Sequence, residues 1–208
     1  MPPRNLKGNP MNNKNRSHPL IATVVAAVAL LACGVAQAAQ LDLAGGTAVS
    51  HITGIGDQQL VTLHAALSAT DPAALPLIAR LDISQSLLFS NQDEQTLGLG
   101  VYRFTGPSDA WRLEAGAEAG RWRDAGYTAR HVAGVLRASY AIAPAVAVSS
   151  TLKLGHSGGL LGGRYTVLGA GLDLYQVDGG TVRIAYQHID DGALPAQDRF
   201  GLSYGVSF

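Results

Sequence analysis

The chain has 208 residues, and its 15 basic and 15 acidic side chains cancel to a formal net charge of +0. That balance removes the electrostatic attraction on which nucleic-acid binding or an acidic partner would rest. Charged residues make up only 14% of the sequence, against about 25% in ordinary soluble domains, which is too few to cover a water-facing surface.

The first 38 residues read as an export signal. Arg16 and His18 precede an apolar run from Leu20 to Val35, and Ala36-Gln37-Ala38 follows with small residues flanking one position. A positive segment, an apolar segment and a small-x-small site in that order form a cleavable signal peptide. The run is shorter than the roughly 20 residues a spanning helix needs. The pattern predicts residues 1–38 as signal and 39–208 as one mature domain, with Met11 an alternative start to Met1. Leu30-Leu31-Ala32-Cys33 loosely resembles a lipoprotein box, from which Leu31 departs. Cys33 is the only cysteine, so the mature chain carries no disulfide into an oxidising compartment.

From Leu41 onward the pattern has a period of two, broken by turn residues, as short β-strands require. The segment Leu41 to Ile52 is the least regular. Val61, Leu63, Ala65 and Leu67 alternate with Thr62, His64 and Ser68. Leu77, Leu81, Ile83, Leu87 and Phe89 alternate with Arg80, Asp82, Ser84 and Ser86. Leu97, Leu99 and Val101 face away from Gly98 and Gly100. Trp111, Leu113, Ala115 and Ala117 oppose Arg112, Glu114, Gly116 and Glu118. Val132, Leu136, Tyr140 and Ile142 oppose His131, Ala133, Arg137 and Ser139. Val146, Val148, Leu152 and Leu154 oppose Ala147, Ser149, Thr151 and Lys153. Leu168, Ala170, Leu172 and Leu174 oppose Gly169, Gly171 and Asp173, and Val182, Ile184 and Tyr186 oppose Arg183, Ala185 and Gln187. In the last segment Phe200, Leu202, Tyr204, Val206 and Phe208 share one face.

These segments predict an all-β, antiparallel, up-and-down transmembrane barrel of about ten strands, or eight if two weak segments merge into loops. Short turns at Thr70-Asp71-Pro72, Gly106-Pro107-Ser108-Asp109, Ala143-Pro144 and Asp178-Gly179-Gly180 fall on the periplasmic side, and the remaining links face outside. Period two alone does not say which face is outward, because a soluble barrel also alternates. The polar face decides. In water it should be rich in Lys and Glu, yet here it is mostly Gly, Ala, Ser and Thr, which suit a narrow lumen. The charges on it are balanced: Asp42, Asp82, Glu114, Glu118 and Asp173 against Arg80, Arg112, Arg137, Lys153 and Arg183. Confined charges must be paired or hydrated, so the balance predicts an ion-paired lumen. An ion-selective pore calls for an excess of one sign.

The run Phe200 to Phe208 resembles the assembly signal of Gram-negative outer-membrane barrels, which end in Phe with apolar residues at alternate positions upstream. That resemblance implies the barrel assembly machinery as a partner and the outer membrane, with its lipids and lipopolysaccharide, as the setting. Ala185-Tyr186-Gln187-His188-Ile189-Asp190 resembles the YfaZ-type small barrels. The first half of the chain departs from that family, so no function carries over.

Some small barrels modify lipid A. The nearest constellation is His156 and Ser157 with His188 and Asp190, residue types that make an activated hydroxyl nucleophile. It resembles the lipid A deacylases in outline, but those place His and Ser two apart. Adjacent residues of a strand point to opposite faces. Gly158 to Gly163 lacks the Lys-Ser/Thr of a phosphate loop, and His51, His64, His131, His156 and His188 show no metal-ligand spacing, so neither a cofactor nor a metal is expected. Trp111 and Tyr140 are expected at the periplasmic interface, and Trp122 and Tyr165 at the outer one, although Trp122 has lumenal parity unless a bulge intervenes. The functions left open are a structural or interaction barrel with a filled lumen, a narrow pore for small solutes, a lipid A-modifying enzyme, and a soluble periplasmic β protein.

Overall fold

The structure, a computed structural model, describes residues 39–69, 77–86, 93–124, 127–158, 163–176, 178–192 and 195–208. Residues 1–38, the expected export signal with Cys33, the expected turn at Thr70-Asp71-Pro72, the positions Leu87 and Phe89, and most of the glycine stretch after Gly158 lie outside them. The described residues form β1 (Ala39–Ile52), β2 (Gly56–Ala69), β3 (Leu77–Ser86), β4 (Asp93–Thr105), β5 (Trp111–Asp124), β6 (Tyr127–Ala143), β7 (Val146–Gly158), β8 (Gly163–Tyr175), β9 (Gly180–Asp191) and β10 (Gln197–Ser207). Each strand pairs antiparallel with its chain neighbour, and β1 pairs with β10, closing the sheet into a ten-stranded barrel. The closure extends to the chain end, where Leu41 and Phe208 exchange backbone hydrogen bonds of 3.1 and 2.9 Å. A closed sheet leaves no edge of unpaired N–H and C=O groups, the condition for crossing hydrocarbon with strands.

The segment Leu41 to Ile52, the least regular in sequence, is an uninterrupted strand in register with β2 along its whole length. Its glycines obscure the alternation without breaking the ladder. The turns follow local chemistry. Gly54 at φ 80° and Gly56 at φ 115° turn β1 into β2, backbone angles that glycine adopts without a Cβ clash. Pro107–Asp109 forms a single 3-10 turn between β4 and β5. Asp178 Oδ1 accepts a 3.1 Å hydrogen bond from Gly180 N at the β8–β9 turn. Where Pro144 removes a donor, the β6–β7 ladder shifts register between Ala141 and Ala143.

Side chains divide by parity, with the apolar set outside. Leu63, Leu99, Leu113, Val132, Leu136, Leu154, Leu168, Phe200, Leu202 and Tyr204 are exposed, while Glu114, Glu118, His131, Ser157 and Asp173 are buried. This inverts the soluble-barrel arrangement and matches an outward apolar band. The strands run from 10 to 17 residues, long enough for the roughly 9–11 a tilted membrane strand needs.

Candidate functional site

The barrel interior gathers the charges. Glu114, on β5, is its centre. Arg80 on β3 reaches it with Nε at 2.9 Å and Nη2 at 2.5 Å, and Arg137 on β6 with Nη1 at 2.5 Å. Arg137 is its register partner. Arg80 must pass over β4, and it can because Gly98, its own register partner, offers no side chain on the lumenal face. Glu118, four residues along β5, takes Lys153 Nζ from β7 at 2.8 Å, with Arg137 Nη2 at 3.8 Å. Lys153 is opposite Val135 on β6, and Glu118 is opposite the small Ala133 on the same strand. Asp173 and Arg183, in register on β8 and β9, form a two-pronged pair at 2.5 and 3.0 Å. Asp82 bonds His64 at 2.6 Å. At Gly98, a glycine thus serves as the gap through which a long cation reaches a carboxylate two strands away.

The carboxylates at the centre are shielded from water. Glu114 is 7% exposed, Glu118 3% and Asp173 3%. Buried charges persist when they are paired and hydrogen-bonded; Glu114 and Asp173 are both, while Glu118 is held by ion pairs, its buried Oε1 having no hydrogen-bond partner.

Of the charges expected in the lumen, Arg80, Glu114, Glu118, Arg137, Lys153, Asp173 and Arg183 are brought into ionic contact, and Asp82 is bonded to His64. Arg112 is an exception. Its guanidinium lies over the rings of Tyr102 at 4.6 Å and Phe104 at 5.8 Å, a cation–π arrangement, and it makes no ion pair among the described residues. Asp42 accepts from Gln40 and Ser207. Sequence reasoning missed the pair Arg199–Glu94, at 3.0 Å. Its partners sit on β10 and β4, with β1, β2 and β3 between them along the wall. His131, expected on the lumenal face, is buried there and stacked on Tyr165 at 4.5 Å between centroids, a contact the sequence did not show. Gly120 makes room for that ring: a Cβ there would strike His131.

Two expectations need correction. Tyr165 was expected at the outer membrane interface, but it is buried in the lumen with Ala133, Val167 and Ile189. Trp122 keeps lumenal parity, because β4 and β5 pair without a bulge from Asp93↔Arg123 to Thr105↔Trp111. Trp111 and Tyr140 do lie together on the outer face, 4.7 Å apart. The lumen is also less polar than expected. Ile52, Leu60, Val167 and Ile189, near the ends opposite the chain termini, are buried inside.

The nucleophile candidates are not assembled. Ser157 is fully buried in the lumen, whereas His156 is exposed on the other side of the wall. His188 shares that outer parity with Asp190 and bonds Asp198 at 2.9 Å instead, beside Tyr186, whose hydroxyl donates to Asp198 at 2.6 Å. Among the described residues no His, Cys, Asp or Glu cluster could hold a metal.

No protein-family model matches the chain, and no curated protein matches it in sequence. Solved structures do. The transport unit of the autotransporter AIDA-I from Escherichia coli superposes with a TM-score of 0.51 at 11% identity, over 83% of this chain and 91% of that one. The β domain of the Bordetella autotransporter BrkA gives 0.49 at 16% identity, over 83% and 100%. The KdgM porin in complex with disordered oligogalacturonate gives 0.49 at 7% identity, over 81% and 99%. The likeness to the first carries the fold alone: this chain has the architecture of outer-membrane β-barrels.

Proposed function

We propose that this chain is an integral outer-membrane protein whose filled barrel serves a structural or interaction role. One observation carries the reading: a greasy exterior encloses a core of paired charges whose carboxylates are almost wholly shielded from water. Solvent-exposed Leu side chains ring the wall, and Glu114 and Glu118 sit at the axis with four cationic contacts among Arg80, Arg137 and Lys153. Residues 1–38 act as the export signal, and residues 39–208 insert through the barrel assembly machinery. Phe200, Leu202, Tyr204 and Phe208 are exposed on the closing strand or at its end, available to that machinery before β10 pairs with β1.

A narrow pore is the competing reading. Its support is that the Arg183 and His64 side chains are 50% and 44% exposed within the lumen, so water enters at one end. Passage would require a path beyond Glu114 and Glu118. Planar-bilayer recording of the purified barrel separates the two. The filled lumen predicts no stable single-channel current; reproducible unitary conductance overturns it.

A further inference from the structure

The outer face is not uniformly apolar. At the ends of the strands away from the chain termini, β5 to β8 carry Arg121, Arg130, His156 and Arg164 with outward parity. The register places Arg121 directly opposite Arg130, and His156 directly opposite Arg164. Arg130 faces Gly158, two residues from His156, so the four side chains form one continuous arc. Directly opposed residues have Cβ atoms about 4.5–5.5 Å apart, and like charges so placed destabilise a sheet.

No carboxylate of the described residues relieves the arc within 4 Å of Arg121, Arg130 or Arg164. Asp93, at one flank, lies 3.8 Å from Arg123. Asp190, at the other, is opposite Thr166 and forms no ion pair with Arg164. Arg121 donates from Nη2 to Gln95 at 3.2 Å, while its buried Nε has no acceptor. The other side of the rim is built differently. There His51 pairs with Asp57 at 2.7 Å and His188 with Asp198 at 2.9 Å. Imidazoles meet acids on one side of the barrel, and the arginines are left open on the other.

Further along the same strands the wall is hollowed. Ala115 and Gly134 lie low between Leu136, Leu152 and Leu154, leaving an apolar depression of about 230 Å³ on the outer face. A basic arc above an apolar hollow has the two chemistries of one ligand type: a phosphate-bearing headgroup with acyl chains.

We propose that the outer face of β5 to β8 is a binding site for a phosphorylated, acylated lipid of the outer leaflet, its phosphate held by Arg121, Arg130, His156 and Arg164 and its chains lying over Ala115, Gly134, Leu136 and Leu154. The inference rests on the proposed membrane placement and adds a specific ligand class to it. Arginine suits the task because its guanidinium stays charged and grips phosphate through two donors at once.

The test uses the mature barrel purified in detergent and reconstituted into vesicles. Affinity for bisphosphorylated lipid A is compared between wild type and the triple variant Arg121→Gln, Arg130→Gln, Arg164→Gln, with heat-modifiable gel migration reporting barrel closure. The expected result is a loss of at least tenfold in affinity with closure retained. Dephosphorylated lipid A should bind wild type as weakly as the variant binds the phosphorylated form. Millimolar inorganic phosphate should not compete, because it lacks the chains. Unchanged affinity in a closed variant overturns the site, as does full competition by inorganic phosphate, which would reduce it to a free-anion site. Should the triple variant fail to close, Arg130→Lys, Arg164→Lys serves: it keeps the charge but loses the two-pronged grip, and at least a threefold weakening is expected. Undiminished binding there also overturns the site. A wild-type barrel that inserts but shows no preference for the phosphorylated lipid sinks this inference alone; one that does not insert sinks the membrane placement with it.

Discussion

Replacing Glu114 with Ala is expected to destabilise the barrel by about 3–5 kcal/mol, the cost of leaving a buried charge without its partner. Glu114 accepts from both Arg80 and Arg137 and is almost wholly shielded from water. Its removal leaves Arg80 with no carboxylate among the described residues and Arg137 with only the 3.8 Å contact to Glu118, where β4 offers only the glycines Gly98 and Gly100 nearby. Converting both arginines as well, in the triple variant with Arg80→Met and Arg137→Met, should recover most of the loss, because no charge then remains uncompensated. Asp57→Asn is the control. Its His51 partner is at 2.7 Å, but both side chains are more than half exposed, at 61% and 71%, and pairs of that kind contribute only about 0–1 kcal/mol. Urea unfolding in vesicles, followed by the folded fraction on unheated gels, provides the comparison. If Glu114→Ala matched Asp57→Asn, the axis would be hydrated and the lumen open.

Replacing Leu136 with Arg is expected to cost about 2–4 kcal/mol, the range for a cation on the lipid face near the bilayer midplane. Leu136 lies in the middle of β6, 57% exposed on the outer face. Val148→Arg, near the periplasmic end of the outer face of β7, should cost about 0–1 kcal/mol, because its charge reaches the headgroups. The difference between the two positions carries the information. In a water-soluble barrel both substitutions would add a charge to a wet surface and neither would matter. Equal costs at the two positions, measured by the same unfolding assay, would remove the bilayer from the account.

The alternation of side chains made the fold legible, because a strand has only two faces and one shift of register exchanges them. The outward set from Val61 to Val206 follows from residue type and parity alone. The membership of the lumenal network was legible for the same reason, since Arg80, Glu114, Glu118, Arg137 and Lys153 all share a parity. Their partners were not. Arg80 meets Glu114 by passing over a glycine, and Glu94 meets Arg199 across 105 residues of chain. Both depend on the curvature and stagger of the closed wall, which no local pattern encodes. Tyr165 was misplaced because its type favours an interface while its parity put it inside, and parity prevailed. Ile52, Leu60, Val167 and Ile189 show the same conflict. Their side chains are apolar, yet the lumen at that end is narrow enough to bury them, so hydrophobicity and outward direction part company. The arc of Arg121, Arg130 and Arg164 escaped notice because bases were sought on the inner face.

The inverted barrel is tested most directly by a single-cysteine scan along β6. Cys33 is the only cysteine and precedes the barrel, so each introduced thiol can carry a unique nitroxide. In reconstituted vesicles, labels at positions 132, 134, 136 and 138 should collide readily with oxygen dissolved in lipid and hardly at all with a water-soluble nickel chelate. Labels at 133, 135 and 137 should be shielded from both. Nickel-chelate access at positions 134 and 136 would place the leucine face in water and contradict the account at its root.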